Sequence, residues 1–414
     1  MRLTRGNIAR WSAPKMIETK RPSLLVFADD WGRHPSSAQH LIARLLDRYD
    51  ILWVNTIGTR RVRANSLTFR RACEKLKNWR KGLYQVQDSL WVTDLPMLPS
   101  VGKSIQCINQ WLVSRRLKKD LQSLGMADPV VLTTLPYVHW MIRSVRRRAL
   151  LYYCTDDYSH WPGADRGALL QADDVMSDLA DVVLPVSHAL LRRYEDRARC
   201  AYFPHGVDFD HFASARNVTV PAPALHAIDG PRIGFFGLIY EKIDFALLTK
   251  VARHFPAASL VMIGPVDYCE ESFSALPNVH MMGRQPYEDL PKWIAGLDVL
   301  LLPYRDDEMI RQSGPLKLRE CLASGKPTVS VDVPEVRVYE PHVRVGSTDD
   351  QFIRHIEDAL GETDPQMTDA RQEAVSKDSW EDRADQLAAL IDAFECPKRS
   401  GHSTGETQML TEST

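Results

Sequence analysis

The sequence predicts an α/β protein built as two doubly wound domains facing across a cleft. Its 414 residues exceed the size at which one hydrophobic core keeps growing. Short apolar runs of strand length alternate with helix-like stretches in both halves, the mark of parallel sheets covered by helices on both faces. The alternation breaks once, over 208–230, where Pro221, Pro223 and Gly230 punctuate a stretch of little periodicity.

In the first half, the expected strands are 23–28, 51–55, 90–93, 130–133, 149–154 and 182–185, with helical periodicity over 38–48, 104–124 and 139–147. The second half predicts strands at 232–236, 259–263, 279–281, 299–303 and 328–331. Helices are expected over 245–253, 287–295, 315–323, 349–359 and 371–394. The domain plan that follows is an N-terminal extension (1–21), a first domain (22–207), a linker (208–230) and a second domain (231–370). A C-terminal helix (371–396), expected to cross back onto the first domain, and a polar, disordered tail (397–414) complete it.

An apolar content of 44% and a charged content of 25% exclude fibrous and wholly disordered classes. No apolar run approaches the roughly 18 residues of a spanning helix, and the basic N-terminus has no apolar segment behind it to form a secretory signal. Seven cysteines, at 73, 107, 154, 200, 269, 321 and 396, lack CxxC spacing and read as reduced thiols. A cytoplasmic location is therefore expected. Near-neutral net charge conceals an asymmetry: residues 1–210 hold 32 Lys+Arg against 21 Asp+Glu. Basic clusters at 60–63, 70–71, 75–81, 115–119 and 146–148 carry it. No nucleic-acid recognition motif accompanies them, so peripheral contact with an anionic membrane is expected and contact with nucleic acid is not.

The segment with most chemical content runs from Ser313 to Val329. Ser313, Gly314 and Pro315 read as a helix start, with Ser313 as N-cap. The free N–H groups and positive end of such a helix suit a diphosphate. Lys317 adds a full charge in the first turn, and Glu320, three residues on, shares its face, where a carboxylate can accept from ribose hydroxyls. Gly234 and Gly237, in a strand entering a loop, fit either plain turn chemistry or close approach of backbone to a pyrophosphate. Asp244 reads as a helix cap.

That segment, preceded by Asn278 to Arg284 and Asp298 to Tyr304, resembles the donor-binding half of GT-B glycosyltransferases, those of bacterial exopolysaccharide and teichuronic-acid-type synthesis in particular. Asp29 to Ser37, Tyr152 to Asp157 and Pro204 to Asp208 agree in the first half, so the resemblance spans roughly 22 to 395. It implies a GT-B fold of two Rossmann-like domains and a metal-independent transferase with no cofactor. The donor would be a UDP- or GDP-type sugar, and the acceptor a lipid-linked species or a glycan. It assigns Lys317 to the diphosphate and Glu320 to the ribose, and it puts the 283–287 loop, with Arg284 and Tyr287, against the base. In one respect the chain departs from the pattern. Retaining members of the large family 4 carry two glutamates separated by seven residues, and the first of those positions is Gln312 here.

Acceptor-side candidates follow strands of the first half. Asp156 and Asp157 close the strand 149–154, and a carboxylate there can take a proton from an acceptor hydroxyl. Neighbours on a strand point opposite ways, so one of them serves, with Asp157 preferred to Asp156; turn and cap roles also fit the pair. Asp29, Asp30, Gly32 and His34 occupy the loop after the first strand, His34 as acid–base group or phosphate donor. Ser36 and Gln39 fit a capping box. No metal-ligand cluster is visible. A nucleotide-sugar epimerase and a non-catalytic subunit of an assembly complex share this architecture and stand as alternatives.

Overall fold

The computed structural model describes residues 21–33, 36–56, 82–96, 103–161, 164–196 and 199–395. His34, the basic run 60–81, Cys73 and Cys396, and the tail 397–414 lie outside them, as does all of the N-terminal stretch before Arg21.

The first sheet is made of β1 (Ser23–Ala28), β2 (Asp50–Asn55), β3 (Leu83–Gln87), β4 (Leu90–Asp94), β5 (Val130–Thr133), β6 (Ala149–Cys154) and β7 (Val182–Pro185), in the order β3-β4-β2-β1-β5-β6-β7. All neighbours are parallel except β3, which pairs antiparallel with β4 at the edge. The second sheet contains β8 (Arg232–Phe236), β9 (Ser259–Ile263), β10 (Val279–Gly283), β11 (Val299–Leu302), β12 (Thr328–Val331) and β13 (Arg344–Gly346), in the order β10-β9-β8-β11-β12-β13. Without its antiparallel edge strand β3, the first sheet has the 3-2-1-4-5-6 order of a doubly wound fold, and the second has it outright. The strand order reverses beside β1 in one sheet and β8 in the other, so ligands are expected at the carboxyl ends of those strands.

Burial explains why the strands were legible. β2, β5, β6 and β7 are buried almost throughout, as parallel strands covered on both faces must be. β3 and β13 were not anticipated: β3 is an exposed edge with mixed side chains, and β13 has three residues. The stretch 208–230 is more than a tether. It holds the helix Phe209–Ala213, and Phe212, Ala215, Ala222, Leu225 and Ile228 are buried in the second core.

The single helix expected over 371–394 is two helices, Pro365–Glu373 and Trp380–Glu395. Ser379 divides them: its hydroxyl accepts from the Asp382 N–H at 3.0 Å and so starts the second helix. Trp380, Ala384, Leu387, Ala388 and Ile391 then pack into the core of the first sheet. The chain thus closes on its first half after building its second.

Candidate functional site

The carboxyl ends of β6 and β7 meet the loops that follow β8 and β11, and the contacts there are close. Ser187 Oγ donates to the Gln312 carbonyl at 2.6 Å, joining the end of β7 to the second half. A Cβ on Gly314 would lie 2.6 Å from the Val186 carbonyl oxygen, so only glycine fits this approach. Gly264, at φ +145°, passes so close to Gly237 that a Cβ would lie 1.8 Å from its carbonyl oxygen, which holds the loops after β8 and β9 together.

The helix anticipated over 315–323 spans Leu316–Ala323, with Pro315 as N-cap and no side-chain cap bond. Ser313 does not cap it. Its hydroxyl donates to the Ile310 carbonyl at 2.8 Å and ends the preceding helix Glu308–Gln312. The N–H groups of the Leu316 helix are therefore left without a side-chain cap at their amino end. Lys317 and Glu320 share a face, but that face is turned toward the end of β8 and is not an exposed surface. Glu320 is 7% exposed, and Lys317 Nζ lies 2.5 Å from its carboxylate. The ammonium also sits 4.4 Å above the Phe236 ring, and its Cε is 3.1 Å from where a Gly237 Cβ would stand. Gly237, Lys317 and Glu320 thus line one spot at the end of β8.

Tyr287 stands nearby. Its ring stacks on His211 at 4.4 Å, and its hydroxyl points to Asp208 at 3.5 Å. Burial, then the charges of Glu320 and Asp208, push that hydroxyl far above its ordinary range. Arg284 is exposed on the neighbouring loop, with no hydrogen bond or ion pair among the described residues. The structure therefore brings Gly237, Lys317, Glu320 and Tyr287 together and leaves Arg284 apart.

On the opposite wall the two aspartates differ sharply. Asp157 is buried in structural work: it accepts from the Ser159 N–H at 3.0 Å, meets His160 Nδ1 at 3.0 Å and pairs with Arg193 at 3.3 Å. Burial opposes its ionisation, but those hydrogen bonds and charges outweigh it and hold the carboxyl below the usual range. Asp156 is half-buried, and its carboxyl has no hydrogen bond or ion pair among the described residues. Burial, with the Asp157 charge beside it, pushes it up to about 7. Across the cleft, Tyr240 feels that charge: burial and then Asp156 push its hydroxyl up to about 12.

The loop after β1 is braced from within. Asp29 accepts from Ser36 Oγ at 2.9 Å and Gln39 Nε2 at 3.2 Å, and burial raises its carboxyl despite these bonds. Ser36 caps the helix Ser37–Arg44, whereas the Gln39 side chain takes the Gly32 N–H at 3.0 Å instead of closing a capping box. Among the described residues the Asp30 carboxylate meets only the exposed Arg33, at 3.4 Å.

His205, Tyr240 and His211 carried no signal of their own in the sequence. His205 is buried, with Nδ1 2.9 Å from Ser37 Oγ and 3.1 Å from the Tyr153 hydroxyl. Burial and the charges of Arg319 and Arg383 drive it down to about 3, so it is a neutral imidazole at working pH. Tyr240 and His211 each lie three residues past positions that were read, Gly237 and Asp208. Gln312 donates from Nε2 to Glu308 at 2.7 Å, while its Oε1 is buried without a partner. Among the described residues no group of three or more His, Cys, Asp or Glu is placed to hold a metal ion, and no helix is long and apolar enough to cross a membrane.

Residues 230–362, which contain the Lys317–Glu320 helix and Gly237, match the family described as Glycosyl transferases group 1. This stretch is a group 1 glycosyl transferase domain. Over 185 residues the chain is 28% identical to a Bacillus subtilis (strain 168) protein named as a teichuronic acid biosynthesis glycosyltransferase, TuaH; the match covers 42% of this chain and 46% of that one, less than half of either. Around the group 1 domain, the whole fold resembles sucrose-phosphate synthase from Thermosynechococcus elongatus, with a TM-score of 0.68 at 15% identity over 91% of this chain and 99% of that one. Anabaena HepE, solved in complex with UDP and glucose, gives 0.61 at 14% identity over 89% and 99%. The architecture is GT-B, with the group 1 domain as its second half.

Proposed function

We propose that this protein transfers a sugar from a UDP- or GDP-type nucleotide sugar to a hydroxyl of a lipid-linked or glycan acceptor, in the synthesis of a bacterial surface polysaccharide. The reading rests on the carboxyl of Asp156, which has no hydrogen bond or ion pair among the described residues and whose charge reaches Tyr240 in the loop after β8, together with the cationic helix start at Lys317, beside Gly237 at the end of that same strand. The group 1 domain would hold the donor. Uncapped N–H groups of the Leu316–Ala323 helix and the Lys317 ammonium meet the diphosphate, and Glu320 accepts from the ribose. Phe236 and Tyr287 give that pocket apolar walls. Asp156 takes the proton of the acceptor hydroxyl as its oxygen bonds to the anomeric carbon. The bond from that carbon to the diphosphate breaks, and the nucleoside diphosphate leaves against Lys317 without a metal ion. Gln312 keeps the place of the first family glutamate neutral. Relatives whose names state UDP and glucose ligands or polysaccharide synthesis support the choice of donor and pathway.

A transfer assay separates this from the alternatives. The purified chain is incubated with labelled UDP- and GDP-sugars, with and without membrane extract. Label should enter extract material from one donor. Conversion of the donor to another sugar nucleotide without extract would identify an epimerase. Intact donor in every mixture, after a thermal-shift screen has found the nucleotide that binds, would point to a non-catalytic subunit.

A further inference from the structure

The helix Lys103–Ser123 leaves the carboxyl edge of the first sheet after β4 and returns along it to β5. At 3.6 residues per turn its side chains sort onto two faces. Val113, Leu117 and Leu121 are 0%, 1% and 7% exposed and join the first core. Asp120, the one carboxylate of the helix, is turned inward, where it pairs with Arg116 at 2.8 Å and accepts from Thr93 at 2.7 Å. The outward face carries Ile108, Trp111, Arg115, Lys118 and Lys119, and no acid.

Two features of that face call for an occupant. Trp111 is 60% exposed and Ile108, one turn before it, is 47% exposed, so adjacent large apolar side chains stand in water. Beside them the basic charge is unspent. The Arg115 guanidinium lies 5.5 Å over the Trp111 ring, and Lys118 and Lys119 are exposed with no ion pair among the described residues. The other cluster of the first half that the structure describes is different: Arg146 pairs with Asp128, Arg148 with Glu395, and Arg147 donates to the Ile142 carbonyl. Basic side chains around an exposed tryptophan and isoleucine match the composition of interfacial helices, whose rings enter the headgroup layer while the cations meet lipid phosphate.

We propose that this face seats the protein on an anionic lipid bilayer, with Ile108 and Trp111 entering the headgroup region and Arg115, Lys118 and Lys119 on the phosphates. Both apolar residues lie in the first half of the helix, the half that follows β4 and its carboxyl end. The bilayer thus meets the edge that carries Asp156 and the Asp29 loop. Docking there would deliver a lipid-borne acceptor to the cleft, a consequence that rests on the transferase reading, whereas the docking itself does not.

The test uses the full chain and sedimentation with vesicles of phosphatidylcholine, with or without phosphatidylglycerol. Binding is expected only to the anionic vesicles, and it should weaken as salt rises. Trp111→Ala, and separately Arg115→Glu with Lys119→Glu, should each lower partitioning roughly tenfold or more. Stabilisation by nucleoside diphosphate should not change in either. Equal binding of parent and variants, equal binding to neutral vesicles, or no binding at all overturns the proposal. A change in oligomer mass in place of lipid binding also overturns it, because the face would then join copies of the chain. If vesicle binding fails while transfer to a soluble acceptor persists, the docking surface is wrong and the transferase reading stands.

Discussion

Asp156→Asn is expected to lower sugar transfer by about 10²–10⁴-fold, the usual contribution of a general base, while leaving donor binding intact. The parent's rate should rise through about pH 7, where the burial-raised Asp156 carboxyl ionises, and the variant should lose that limb. Stability adds an independent reading. A carboxyl raised above its unfolded value binds its proton more tightly in the native chain. The native state therefore loses stability as pH rises from the ordinary carboxylate range through about 7. The amide variant escapes that loss and should melt no lower than the parent at pH 8. Asp157→Asn is expected to do the reverse, lowering stability because the Ser159, His160 and Arg193 contacts depend on its charge. Parallel rate profiles for Asp156→Asn and the parent would remove Asp156 from the reaction.

Asp378→Ala should cost about 3–5 kcal/mol of stability, the range for uncovering buried charge. Asp378 lies between the two halves. Arg319 of the group 1 domain, 0% exposed, donates to it from Nε at 3.0 Å, Arg383 of the returning helix pairs with its other oxygen, and the Tyr339 hydroxyl donates at 2.9 Å. Without the carboxylate, two buried guanidinium groups lose their closest counter-charge. Arg319 Nη1 and Arg383 Nε already lack partners, so the loss adds to buried donors left unpaired. Urea denaturation of the variant and parent measures the difference. A midpoint unchanged within error would mean that this network does not hold the halves together.

Most strands could be read from the sequence because parallel strands buried on both faces are short, wholly apolar runs. β3 escaped because its Leu-Tyr-Gln-Val-Gln stretch is an exposed edge that owes its form to β4. The Leu316–Ala323 helix was legible from Gly314 and Pro315 before it and Gly325 and Pro327 after it. Its cap was misassigned because the Ser313 hydroxyl has a nearer acceptor one turn back. The choice between Asp156 and Asp157 depends on the turn after β6, where a short helical turn draws one carboxylate into capping and leaves the other free. Arg319 and Asp378 are 59 residues apart, and no local pattern announces a pair that forms only when the C-terminal helix crosses back.

The central claim is that the donor diphosphate rests on the amino end of the Leu316–Ala323 helix beside Lys317. Calorimetric titration of the parent, Lys317→Ala and Glu320→Gln with nucleoside and nucleoside diphosphate tests it directly, using whichever base the thermal-shift screen selects. Lys317→Ala should weaken the diphosphate about ten- to a hundredfold, the loss of one charge-assisted contact, and should leave the nucleoside nearly unchanged. The unopposed Glu320 charge, 2.5 Å from the lost ammonium, acts in the same direction. Glu320→Gln should weaken both ligands through the ribose. If Lys317→Ala binds the diphosphate as tightly as the parent does, the donor does not sit on this helix and the assignment fails.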